Sequence, residues 1–174
     1  MRTLTLFLLM LVGCSPDTSQ RAHGRPQEQP SPSASLVSQD RDFLERASEG
    51  NNAEVAIGNL VHGNALRAEV VSLGRMIAAD HVAARNQLAA IAATKKISLT
   101  TSLGEHQANY DRLADLKGDQ FDPEFVKVMI EEHDQALELF RGEASNGVDP
   151  DLKAYAAAMI PKLESHLAHA YGVR

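Results

Sequence analysis

From Val70 to Ile91 the residues Val70, Leu73, Ile77, His81, Ala84, Leu88 and Ile91 recur at intervals of three and four, and every one but His81 is apolar. A stripe with this period lies along one face of an α-helix and is buried by whatever that face meets. His81 therefore faces inward, in the seam where a hydrophobe belongs. A polar ring in such a place has to find a partner.

The same period runs through three other stretches. One is Phe43, Ala47, Gly50, Glu54, Ile57 and Val61; a second is Phe121, Phe125, Val128, Glu132, Gln135 and Leu139; the third is Leu152, Ala156, Met159, Leu163, His166 and Ala170. Each stripe carries a titratable group, and His133 adjoins Glu132. With 174 residues, 5% aromatics, no Trp and no alternating strand pattern, the chain suits one domain of closely packed helices. Residues 39–174 are read as that domain.

Helix boundaries are marked by local chemistry. Ser38 or Asp40 can cap the first helix, and Gly50-Asn51-Asn52 is a weak patch where it bends or restarts. Gly63 can end that helix and Asn64 cap the next, which runs to about Ala93. Ser102-Leu103-Gly104-Glu105 has the capping-box form and starts a short helix ending at Lys117-Gly118. Asp122-Pro123-Glu124 and Asp149-Pro150-Asp151 each combine a capping carboxylate with proline where no amide partner is needed, launching helices to about Arg141 and Tyr171. Pro161, inside the last helix, should bend it. The expected fold is all-α: a four-helix bundle of two antiparallel hairpins with a short extra helix in the crossover.

The amino terminus is a processing signal. Met1-Arg2-Thr3 is followed by an apolar run from Leu4 to Val12, too short to span a bilayer as a helix, and then by Gly13-Cys14. Leu11-Val12-Gly13-Cys14 resembles the lipobox of bacterial lipoproteins. The resemblance implies cleavage after residue 13 and a lipid anchor at Cys14, the chain's single cysteine, which has no partner for an internal disulfide. Residues 14–38, rich in Pro, Ser and Gln, read as a disordered tether. Ser15 after the cysteine points by the same resemblance to the periplasmic side of the outer membrane, with the inner membrane as the other choice. A net charge of -6 without a basic stripe argues against a nucleic-acid partner and names no protein partner.

Four separated motifs, Ala53-Glu54-Val55, Asp80-His81, Phe121-Asp122 with Phe125, Met129 and His133, and Pro161-Lys162-Leu163-Glu164-Ser165-His166-Leu167, resemble the bacterial envelope family called domain of unknown function 4142 over about Asp40 to Tyr171. The resemblance implies a ferritin-like helical fold in a secreted or membrane-attached protein, often of the outer membrane, and no known activity. It carries over Glu54, His81, His133 and His166, with Pro161 as a structural marker.

Two readings of the inward polar groups stand side by side. Glu54, His81, Glu132, His133 and His166 could hold a metal ion such as iron or copper, or the histidines could donate across the bundle to carbonyls and carboxylates, with Glu54 and Glu132 as partners. A di-iron carboxylate set is incomplete, because Ala78, Ile130 and Leu163 occupy the positions where a Glu-x-x-His motif needs glutamate. Reckoned from a turn at Gly63, Glu54 lies roughly 14 Å and His81 roughly 26 Å down their helices, with His166 nearer the turn; this disfavours one compact centre. Met129 with His133, one turn apart, could also suit copper, although a methionine on a helical stripe commonly packs in the core. His62, His106 and His169 read as cap or surface residues. No phosphate loop, nucleophile elbow or haem-attachment motif occurs, so an enzyme is not expected. The leading expectation is a non-enzymatic envelope lipoprotein, the alternative a periplasmic metal-binding or metal-oxidising bundle. A further reading makes the inward histidines a pH-responsive element that strains the core when protonated below about pH 6.

Overall fold

The computed structural model describes residues 36–174. The expected leader, the expected lipidation site Cys14 and the expected tether as far as residue 35 lie outside the described residues. The helices in chain order are α1 (Ser38–Asn59), the single turn α2 (Val61–Asn64), α3 (Ala68–Thr94), the short α4 (Gln107–Ala114), α5 (Phe121–Asn146) and α6 (Pro150–Val173). A 3-10 turn, Gly104–His106, leads into α4. α1 packs on α3 and α5 on α6, and the two hairpins join mainly through α3 against α6 and α1 against α5. The result is the expected four-helix bundle, with α4 in the crossover.

That crossover is tied along α1. Ser48 and Asn52 donate to the Thr100 carbonyl at 3.2 and 3.0 Å, and Asn52 also reaches the Ser102 carbonyl. α1 itself is unbroken through Gly50-Asn51-Asn52, contrary to the expected bend, because Asn51 is buried and hydrogen-bonded rather than facing water. α5 continues to Asn146, beyond the expected Arg141, and its lower half buries Leu137, Phe140 and Glu143 while Gln135 is exposed. The stripe there follows His133 rather than Glu132, a shift of one residue that rotates the buried face.

Helix ends are satisfied differently from the local reading. Asp149 caps its own helix, accepting from the Asp151 and Leu152 amides at 3.1 Å. Asp122 instead lies within α5, and its two carboxylate oxygens accept from Leu66 and Arg67 N–H at 3.0 and 2.8 Å, at the mouth of α3. Asp40 does the same for Val148 and Asp149 at the mouth of α6, at 2.9 and 2.8 Å. Each acid places negative charge on unpaired amides at the positive end of a neighbouring helix, stitching together elements far apart in sequence. Asn64 is likewise not a cap: its amide donates to the Leu113 and Ala114 carbonyls. α4 stops at Ala114 rather than at Lys117-Gly118, and Ser102 bonds the Gly104 amide at 2.9 Å, within the 3-10 turn.

The core has two parts. Phe43, Leu44, Leu88, Phe140, Leu152 and Leu163 belong to one cluster, and Ile57, Leu73, Ile77, Phe121, Phe125 and Met129 to the other. Burying each such side chain contributes about 1.5–3 kcal/mol, so the two clusters can carry a polar layer that stabilises nothing by itself. Along α3, α5 and α6 the residue lying between the two clusters is a histidine.

Candidate metal centre

α3, α5 and α6 deliver His81, His133 and His166, exposed by 4%, 1% and 1%, into that layer. One nitrogen from each ring lies within 4.8 Å of one from each of the others. Ring centroids are 5.2 to 5.9 Å apart.

The outer nitrogens are committed. His133 Nδ1 lies 2.8 Å from the Met129 carbonyl, which can only accept, so Nδ1 carries the proton. His166 Nε2 lies 2.9 Å from an Asp80 carboxylate oxygen, again an acceptor, so Nε2–H donates. His81 Nδ1 lies 2.9 Å from Asn51 Oδ1, whose orientation follows from its amide nitrogen donating to Tyr155 Oη at 2.9 Å. In the neutral rings this leaves His133 Nε2, His166 Nδ1 and His81 Nε2 as bare lone pairs. The first two face each other at 3.1 Å, and the third is buried with no hydrogen-bond partner.

Neutrality follows from the surroundings. Burial pushes His133 down to about 4, with the neighbouring His166 adding to it. Burial, then His133 and His166, hold His81 well below the usual imidazole range. His166 is also lowered by burial, against the opposing pull of Asp80. Asp80 stays ionised: burial works against its charge, but the hydrogen bond from His166 and the Lys162 ammonium outweigh it.

A layer of lone pairs held inward by outer acceptors is the arrangement in which histidines bind metal ions, the outer hydrogen bond fixing tautomer and ring orientation. Ligand nitrogens at 2.0–2.1 Å from one tetrahedral ion stand about 3.3 Å apart. The His133–His166 separation of 3.1 Å fits this, and a ring nitrogen of His81 lies within 4.8 Å of both.

The family profile of "Domain of unknown function (DUF4142)" matches residues 25–173. The chain belongs to this family. No curated protein sequence matches it. Among solved structures it is similar to a DUF305 fragment from Deinococcus radiodurans, with TM-score 0.71 and 14% identity over 80% of this chain and 97% of that one. It is also similar to a DUF305 protein from Streptomyces coelicolor, with TM-score 0.65 and 19% identity over 76% of this chain and 89% of that one. At these identities the likeness concerns the fold.

Of the five inward groups singled out in this DUF4142 chain, the structure brings His81, His133 and His166 together, with Glu54 beside them. Glu54 Oε1 is 3.6 Å from His133 Nδ1, its other oxygen is buried without a partner, and burial followed by the charge of Glu132 raises it well above the usual carboxylate range. Glu132 turns the other way. It meets His106 Nδ1 and Asn109 Nδ2 at 2.5 Å each. Burial opposes the charge on both Glu132 and His106; their mutual hydrogen bond prevails, lowering the acid and raising the base.

His106 is thus a half-buried partner and not a free surface group, whereas His62 and His169 are exposed as expected. The axial reckoning fails for His166, which stands level with His81. The link after Asn59 kinks at His62 and Gly63 and runs extended through Ala65, so α3 begins only at Ala68. Counting helical rise from Gly63 therefore set His81 too low. Asn51 and Asp80 were missed as partners. Asn51 falls four residues after Ala47 on the inward stripe, a signal that was present; Asp80 meets His166 across 86 positions, which periodicity cannot see.

Proposed function

We propose that this DUF4142 protein binds one late first-row transition metal ion, copper or zinc, through His81 Nε2, His133 Nε2 and His166 Nδ1. Three neutral imidazoles without a thiolate suit these ions, and the missing bridging carboxylates argue against a di-iron centre. The carrying observation is the 3.1 Å approach of two imidazole nitrogens whose protons are both held elsewhere. A neutral, metal-free histidine layer leaves that repulsion and the orphaned His81 Nε2 unanswered; a metal cation answers both.

The cleft that reaches His81 has a free volume of about 40 Å³. Organic ligands occupy pockets of roughly 300–1,000 Å³. The reading is accordingly metal holding rather than catalysis on an organic substrate. Among the described residues no helix is long and apolar enough to cross a membrane. The sequence supports attachment to the envelope through a lipid on Cys14, on the outer membrane's periplasmic side.

Elemental analysis of the purified chain after loading with zinc, copper or iron and desalting tests the proposal. One equivalent of zinc or copper is expected, falling below a tenth in His133→Ala and His166→Ala variants that keep their helical circular dichroism. Wild-type protein retaining less than a tenth of an equivalent of any metal overturns it.

A further inference from the structure

The histidine layer is sealed along most of its perimeter, so an ion needs a way in. A cleft between α1, the 3-10 turn and α5 runs from Glu49 and Glu105 past His106 and Glu132 to Glu54 and His81. Its inner lining includes His81 and Glu54, and each of these has a buried side-chain atom, Nε2 and Oε2 respectively, without a hydrogen-bond partner. Glu105 is exposed, and Glu49 packs over Gly104, whose φ of +56 lets the backbone turn beneath the carboxylate. Four carboxyl groups thus line the path, the innermost, Glu54, held toward its neutral form by burial, against Arg46, which pairs with Glu105 at 3.5 Å, and His106. A second partly exposed approach, beside Asp80, presents the Lys162 ammonium 3.4 Å from that carboxylate, and Asp80 is already engaged by His166. There the Lys162 charge offsets that of Asp80, whereas carboxyl groups outnumber cationic groups in the cleft.

We infer that this acidic cleft is the route by which a divalent metal cation reaches the three-histidine centre, with Glu49 and Glu105 drawing it from solvent and the Glu132–His106 pair as an inner gate. The inference rests on the metal-binding reading and adds a path to it. The free volume of about 40 Å³ holds a few waters at most, so a hydrated ion sheds part of its shell on the way. The carboxylates replace the lost waters, and the 2.5 Å contact between Glu132 and His106 has to open for the ion to pass. Fields focused in a cleft of one sign raise association rates by about 10- to 1,000-fold and weaken with salt.

The test is stopped-flow uptake of zinc by the metal-free full chain, read by competition with a fluorescent chelator, alongside equilibrium stoichiometry. Glu49→Gln/Glu105→Gln and Glu105→Lys are expected to slow uptake by about 3- to 10-fold at low salt while leaving stoichiometry unchanged, with the difference shrinking in concentrated salt. His106→Ala is expected to speed both uptake and release. A Glu69→Gln control, away from the cleft, should match wild type. Uptake at the wild-type rate by both mouth variants, with full stoichiometry, overturns the route and leaves the metal centre standing; a wild-type chain that takes up no metal overturns both.

Discussion

His133 Nε2 and His166 Nδ1 face each other at 3.1 Å between α5 and α6, although the proton of each neutral ring is already engaged by Met129 O and Asp80. In the neutral rings these two lone pairs repel each other inside a dry core unless a proton or a metal cation lies between them. The metal ion proposed for this centre would lie between these two nitrogens and relieve that contact.

Asp80 should govern the affinity of that cation without touching it. Asp80→Asn removes the obligate acceptor at His166 Nε2 and frees the tautomer. Metal affinity measured by chelator competition is expected to fall about 10- to 100-fold with stoichiometry kept at one. An unchanged affinity would remove Asp80 from the centre.

In the metal-free protein the histidine layer should make folding sensitive to acid. His133 sits at about 4 folded, against an ordinary value of 6.5, so the unfolded chain binds the proton first. The contribution is fully present above about pH 6.5 and is lost as the pH falls toward 4, by about 3 kcal/mol from this ring alone. Urea midpoints at pH 7, 5.5 and 4.5 should decline steadily, and His133→Gln should flatten the slope. A midpoint constant from pH 7 to 4.5 would mean that the ring is not held neutral.

Glu143 works in the opposite direction. Burial, then the neighbouring Asp40 carboxylate, raise it to about 7. The folded state thus keeps a proton that the unfolded chain releases near 4.5. Its stabilising effect is complete below about pH 4.5 and is lost as the pH rises through 7. Glu143→Gln should raise Tm at pH 8.5 by about 3 °C, on the order of 1 kcal/mol, and change little at pH 5. Equal shifts at both pH values would contradict the assignment.

The α1–α3 crossing depends on absent side chains. A Cβ on Gly74 would stand 2.3 Å from Val61 Cγ1 and 2.9 Å from the Gly58 carbonyl, and one on Gly58 would stand 2.7 Å from the Gly74 carbonyl. Gly74→Ala should therefore cost about 1–3 kcal/mol in denaturant unfolding, despite alanine's better helix propensity. A gain in stability would show that the helices can separate without loss.

The helices, the hairpin order and the inward direction of Glu54, His81 and His166 were legible because period and punctuation are local properties, carried by residues three and four apart. The α6 stripe from Leu152 to Ala170 is buried as read. The α5 stripe was misplaced below Glu132, where His133 and Glu132 are adjacent and both buried, so that period alone could not choose between them.

What the chain's order of residues determined, then, was four amphipathic rods with titratable groups on their hidden faces. Only the tertiary structure decided which of those groups share a level, since helix heights depend on how links such as Leu60–Arg67 bend. It alone paired His166 with Asp80 and Asp122 with the start of α3. Such contacts are set by packing between distant segments, and no local period encodes them.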